Sequence, residues 1–170
     1  MSSQSGIRFE TGLYCPRWAY STATLLGLGR VRPGPGTWAS LLTVLVWSGL
    51  AYAVPEPIRT FVAIAVALAV SIIGTAAATK LETACGITDP SMIVIDEVAG
   101  QMFALIACPL DWKWLIAAFI LFRAFDILKP PPARQLEKMH GGLGIMMDDI
   151  AAGLYSLAVL QIALHYGLMS

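Results

Sequence analysis

Charge is scarce in this sequence. Only 13% of its 170 residues are Asp, Glu, Lys or Arg, eleven of each sign. A soluble domain carries about 25%, and a fully wetted surface roughly 25–35%. A soluble globular enzyme and a disordered chain are thereby excluded, and the lack of a basic excess excludes a nucleic-acid binder. Cysteine is sparse too: Cys15, Cys85 and Cys108 share no pairing or metal spacing. They read as small apolar residues in a reducing compartment. The first ten residues contain no apolar stretch, so a cleaved signal peptide is not expected. No internal repeat is visible, and residues 1–170 read as a single domain.

Apolar residues fill the space that charge leaves. They make up 57% of the chain, and mean hydropathy is +0.71. No charged residue occurs in 33–55, 60–79 or 150–170. A spanning helix needs about 20 apolar residues to cross a hydrocarbon core about 30 Å thick. Spans are therefore expected at about 37–54, 59–78 and 149–168. Two further apolar runs hold charges inside them: 91–108, with Asp96 and Glu97, and 112–128, with Arg123 and Asp126. Without a polar shell to surround a soluble core, both are expected to span as well. The fold class is thus all-α: an integral membrane bundle of about five spanning helices with a short N-terminal interfacial segment.

Basic residues orient such a bundle. With a cytoplasmic N-terminus, that side holds Arg8, Arg17, Arg30, Arg32, Lys80, Arg123, Lys129, Arg134 and Lys138, against Arg59 and Lys113 outside. The acids follow the same bias, since only Glu56 and Asp111 fall on the outer side. Folded this way, the third helix carries Asp96 and Glu97 about one turn in, and the fourth carries Arg123 and Asp126 in its last turns. The fifth opens on Asp148 and Asp149. Ionisable groups inside a span are costly and mark functional sites. Each has a plainer reading: helix capping for Asp148 and Asp149, and an i,i+3 ion pair for Arg123 and Asp126.

Their convergence from three helices at one depth is the functional signal. Crowded carboxylates repel one another strongly, and a divalent cation relieves that repulsion. Oxygen ligands with no His or Cys cluster favour Mg²⁺ or a similar hard ion. Gly100 and Gly153, each four residues after an acid, would let helix backbones approach closely there.

Two loops add phosphate-binding features. Residues 32–37 are expected to deliver Thr37 as the N-cap of the first span, with free backbone N–H groups suited to a phosphate. Residues 129–138 form a stiff basic segment that ends near His140; its cations would equally suit anionic lipid headgroups.

Four segments carry a resemblance. Arg32-Pro-Gly-Pro-Gly-Thr-Trp-Ala-Ser40, Asp89-Pro-Ser-Met-Ile-Val-Ile-Asp-Glu-Val-Ala-Gly100, Phe122-Arg-Ala-Phe-Asp-Ile-Leu-Lys-Pro130 and Gly141-Gly-Leu-Gly-Ile-Met-Met-Asp-Asp-Ile-Ala-Ala-Gly153 closely resemble the phosphatidylglycerophosphatase A family, in the family's order, from about residue 28 to 153. The one departure noted is Ala39, where many relatives would carry Gly.

The resemblance implies a bacterial inner-membrane, Mg²⁺-dependent lipid phosphatase. Such an enzyme converts phosphatidylglycerophosphate to phosphatidylglycerol and phosphate in phospholipid biosynthesis. It also implies an acidic constellation of Asp89, Asp96, Glu97, Asp126, Asp148 and Asp149 as metal ligands. Asp96, Glu97, Asp126 and Asp149 are the catalytic candidates, while Thr37, Arg123, Lys129 and Arg134 are candidates for substrate binding. Direct attack by water and an aspartyl-phosphate intermediate both remain open. The competing classes are a small ion-coupled carrier and a non-catalytic membrane subunit. A carrier predicts acids spread through the membrane depth, whereas these gather at one side. A subunit does not account for the phosphate-suited loops.

Overall fold

The computed structural model describes residues 6–131, 133–136, 139 and 141–168. Its elements run β1 (Gly6–Arg8), β2 (Tyr14–Pro16), α1 (Arg17–Ala23), a 3₁₀ turn (Leu28–Arg30), α2 (Pro35–Ala51), α3 (Glu56–Cys85), α4 (Ile95–Ala104), α5 (Trp112–Leu128), α6 (Ala133–Leu136) and α7 (Gly142–His165). The chain is therefore mostly helical but not all-α. Its N-terminal segment is an antiparallel hairpin, pairing Ile7 with Cys15, followed by the short α1. The hairpin docks on the end of α3, where the Thr11 hydroxyl donates to the Ala84 carbonyl at 2.6 Å. Cys15 of β2 is fully buried, and burial pushes its thiol pKa up.

Five spans are not supported. Among the described residues, two helices are long and apolar enough to cross a membrane, α3 with 30 residues and α7 with 24. Helices α2 and α5 have 17 residues each, about 26 Å of rise, at the short end of what crosses a ~30 Å core. The run expected to span at 91–108 holds only the ten-residue α4. The chain before it is tied into turns: Asp89 has a left-handed φ of 48°, and Pro90 follows. The Ile93 N–H bonds the Pro90 carbonyl, and the Val94 N–H bonds the Ala23 carbonyl.

At the other end of the sequence, α7 starts at Gly142, seven residues earlier than expected. The three glycines at 141, 142 and 144 disfavour a helix by propensity, but packing against α3 overrides that. A Cβ on Gly142 would collide with the Thr75 carbonyl. The Gly142 N–H instead reaches the Thr79 hydroxyl at 3.1 Å.

Helices α4 and α7 cross at the centre of the molecule. A Cβ on Gly100 would meet the Asp149 carbonyl oxygen at 2.5 Å, and one on Gly153 would collide with the Gly100 carbonyl. The close backbone approach expected from these two glycines is therefore present. One apolar cluster lies on the hairpin side of this crossing, around Leu81, Ile93, Ile95 and Met146. A second occupies the far side, around Trp47, Met102, Leu105 and Trp114.

Helix α3 buries mainly small residues and exposes large ones. Along α3 the buried set is Ala63, Ala67, Gly74, Ala77, Ala78, Leu81 and Ala84, while Phe61 and Ile72 are more than 70% exposed. Leu45 and Leu50 of α2, Ile116 and Ile120 of α5, and Leu154 and Ile162 of α7 also face outward. Small residues let helices approach closely where lipid supplies no hydrophobic drive between them.

The α4–α7 contact yields a stability prediction. Gly100→Val should cost about 3 kcal/mol or more, because the overpacked neighbour is backbone. Gly49→Ala, with open space around it, should be neutral or stabilise by about 0.5–1 kcal/mol. Thermal unfolding in detergent, followed by circular dichroism, measures both.

Candidate active site

The α4–α7 crossing brings three carboxylates together. Ile95 is the first helical residue of α4, so Asp96 and Glu97 stand in its first turn and not a full turn deeper. Asp148 and Asp149 lie two turns inside α7, which has no acid in its first turn; capping does not explain them. Asp149 is 3% exposed, and Asp96 and Glu97 are half-buried. One oxygen from each of Asp96, Glu97 and Asp149 lies within 4.8 Å of the others. Asp96 Oδ1 and Glu97 Oε2 are buried and have no hydrogen-bond partner among the described residues.

Two cations border the cluster. Arg123 Nη1 lies 2.8 Å from Asp126 Oδ2 in the last turns of α5, so the expected i,i+3 ion pair forms. Lys129 caps α5 in the left-handed region at φ 44°, its N–H bonding the Phe125 carbonyl. That turn carries its ammonium to Asp148 Oδ2 on α7, 2.8 Å away. Each cation is thus engaged by a carboxylate that fixes its position.

All of these groups face one cavity of about 320 Å³. Its walls include Asp89, Asp96, Glu97, Arg123, Asp126, Lys129, Asp148 and Asp149, so the whole expected acidic constellation lines one space. Asp89 reaches it from the exposed turn before α4. Part of the remaining wall comes from the start of α2, at Gly34, Pro35 and Gly36. A Cβ on Gly36 would collide with the Glu97 carboxylate, so glycine there is what lets Glu97 sit against this helix end.

Two expected substrate-binding residues stand elsewhere. Thr37 does not cap α2. Gly34 does, in a left-handed conformation with Pro35 following it, and the exposed Thr37 is absent from the cavity wall. The left-handed cap favours glycine, and Pro suits the first helical position. Ser40, one turn on, is buried and bonds its own helix at the Gly36 carbonyl. Arg134 sits exposed on α6 and is likewise absent from the wall. Lys138 and His140 of the same segment lie outside the described residues. The cavity also includes Glu82, Thr88 and Ser91, none of which was singled out from the sequence. Glu82 had a detectable signal, lying just beyond the charge-free run 60–79 at the end of α3.

The profile of the phosphatidylglycerophosphatase A family matches residues 21–164. The chain belongs to this family. A phosphatidylglycerophosphatase A of Haemophilus influenzae is 39% identical over 146 residues, covering 84% of this chain and 86% of its own. Its namesake in Escherichia coli is 36% identical over 134 residues, or 78% of this chain and 75% of its own. A Bacteroides thetaiotaomicron protein, provisionally named phosphatidylinositol-3-phosphatase, is 41% identical over 132 residues, covering 76% and 82%. No solved structure matches the chain. The matched region of this phosphatidylglycerophosphatase A family member contains every acidic and basic group of the cavity.

Gly36→Ala tests the contact between α2 and Glu97. It should lower the rate of phosphate release at least tenfold by displacing that carboxylate. The unfolding midpoint should fall much less than in Gly100→Val, since a side chain and not backbone must give way. Parallel turnover and melting measurements check it.

Proposed function

We propose that this protein hydrolyses phosphatidylglycerophosphate to phosphatidylglycerol and inorganic phosphate, with Mg²⁺, in phospholipid biosynthesis. The observation that carries the reading is the trio Asp96, Glu97 and Asp149, gathered within 4.8 Å beside Arg123 and Lys129 in one cavity of a phosphatidylglycerophosphatase A family member. The trio suits a hard divalent cation: its donors are all oxygen, and two of the oxygens are buried without a partner among the described residues. Asp96, Glu97 and Asp149 would hold the ion, with Asp89, Asp126 and Asp148 around it. When bound, the ion offsets phosphate charge and lowers the pKa of water.

The side chains supply the remaining steps. Arg123 and Lys129, pinned by Asp126 and Asp148, face charge that develops on the phosphoryl oxygens. A carboxylate of the cluster takes the proton of the attacking water. A phosphorus–oxygen bond forms from that water, the bond to glycerol breaks, and the glycerol oxygen takes up a proton. Large apolar side chains stand exposed along α2, α3, α5 and α7, an arrangement that soluble monomers avoid in contiguous patches. They support insertion in a membrane that keeps the acyl chains in lipid. The one-sided distribution of Lys and Arg supports the bacterial inner membrane with the cavity facing the cytoplasm. In this reading the shorter helices join α3 and α7 in a multi-pass bundle. The Bacteroides relative's name points to a different lipid but to the same reaction, removal of a phosphomonoester from a headgroup.

Phosphate release from phosphatidylglycerophosphate by the purified protein tests the proposal, with phosphatidylinositol 3-phosphate assayed in parallel. Release should require Mg²⁺ and stop in EDTA. Asp96→Asn and Asp149→Asn should each lower it by about 10³-fold or more, with helicity retained. Metal-independent release would sink the role assigned to the ion, and full activity in both variants would sink the site.

A further inference from the structure

The catalytic cavity has a neighbour. A second cavity, of about 350 Å³, is lined by Gly29, Arg32, Pro33, Gly34, Pro35 and Ser91. Gly34, Pro35 and Ser91 also line the catalytic cavity, so the two spaces share a wall. The first holds seven carboxylates and two cations. The second has a single charged group, Arg32.

Arg32 differs from most of the other arginines. Arg123 is paired with Asp126, and Arg59 bonds the carbonyls of Ala51 and Val54. Arg8 and Arg30 lie over the rings of Tyr14 and Tyr20. Arg32 makes no hydrogen bond, ion pair or ring contact among the described residues, and of the arginines it alone lines this second space. The backbone beside it is well tied: the Trp38 indole N–H donates to the Pro33 carbonyl at 3.1 Å.

We infer that Arg32 binds the phosphodiester of the substrate while its terminal phosphomonoester occupies the adjoining acidic cavity. This rests on the proposed lipid phosphatase reading and deepens it. Phosphatidylglycerophosphate carries two phosphates joined by one glycerol, and the two cavities share one wall of three residues. A guanidinium suits a phosphodiester, offering fork-shaped donors and a permanent charge. Arg32 is therefore a specificity-determining residue. It separates lipids whose terminal phosphate lies beyond a diester from phosphatidic acid, whose single phosphate leaves the second cavity empty.

The test compares wild type, Arg32→Ala, Arg32→Lys and the exposed-charge control Lys80→Ala. Substrates are phosphatidylglycerophosphate and phosphatidic acid with the same acyl chains, in mixed micelles. Arg32→Ala should raise KM for phosphatidylglycerophosphate about tenfold or more and change kcat less than about twofold. Its kcat/KM for phosphatidic acid should stay at the wild-type value. Arg32→Lys should recover part of the loss, and Lys80→Ala should alter neither substrate. Equal losses on both lipids, an equal effect of Lys80→Ala, or no effect of Arg32→Ala would each overturn the inference.

Calorimetric binding of phosphatidylglycerol, which has the diester alone, supplies a readout without turnover. Binding that weakens in Arg32→Ala supports the second cavity even if wild type releases no phosphate, in which case only the catalytic reading falls. Binding that Arg32→Ala leaves unchanged overturns the inference even where turnover is normal.

Discussion

Three carboxylates whose oxygens lie within 4.8 Å of one another repel, and the surrounding architecture is what holds them there. At short range in a poorly solvated setting that repulsion amounts to several kcal/mol. A flexible scaffold would relieve it by moving the acids apart. Here the α4 and α7 backbones are in contact at Gly100 and Gly153, so Asp149 cannot retreat from Asp96 and Glu97. Glu97 is stopped from the other side by the first turn of α2, where Gly36 leaves room for it and nothing more. The outer acids are neutralised separately, Asp126 by Arg123 and Asp148 by Lys129. What remains at the centre is a concentration of negative charge suited to a cation, with two positive groups at its edge suited to an anion.

The positions of the acids were legible in the sequence because charge is so rare in it. In a chain that is 13% charged, an acid inside an apolar run has a short list of reasons to be there. Gly100 and Gly153 were legible for a related reason: a glycine four residues after an acid stands on the same helix face, and only close packing justifies the loss of a side chain. The i,i+3 spacing of Arg123 and Asp126 likewise translated directly into a contact. The extent of α5 follows the apolar run 112–128, and the structure adds a cap at Asp111, whose side chain accepts the Lys113 N–H at 2.9 Å.

What was not legible depends on contacts between segments distant in sequence. Hydropathy could not show that 91–94 would be held in turns by Pro90 and the Ala23 carbonyl, so a ten-residue helix looked like a span. Helix propensity argued against a start at Gly142, and only its seat against Thr75 and Thr79 makes that start favourable. Thr37 was a reasonable cap by residue type, but Gly34 took the role because the chain arrives there left-handed. Arg134 was assigned from its charge alone, and charge does not say which way a short helix turns. Glu82 was overlooked because it ends a long helix, and only the fold brings that end beside the others.

Helix α3 keeps alanine and glycine inward and turns phenylalanine and isoleucine outward. In a water-soluble helix the inward face carries the bulk, and trimming it opens a cavity. Here the arrangement is reversed, and so is the map of tolerance. In the proposed membrane setting, bulk removed from the outer face leaves no hole, because fluid lipid closes over it. A methyl group added to the inner face meets packed neighbours, as at Gly74, where it would press on Met146 and Ile95. Random substitution along this helix would thus be forgiven at its most hydrophobic positions and punished at its smallest.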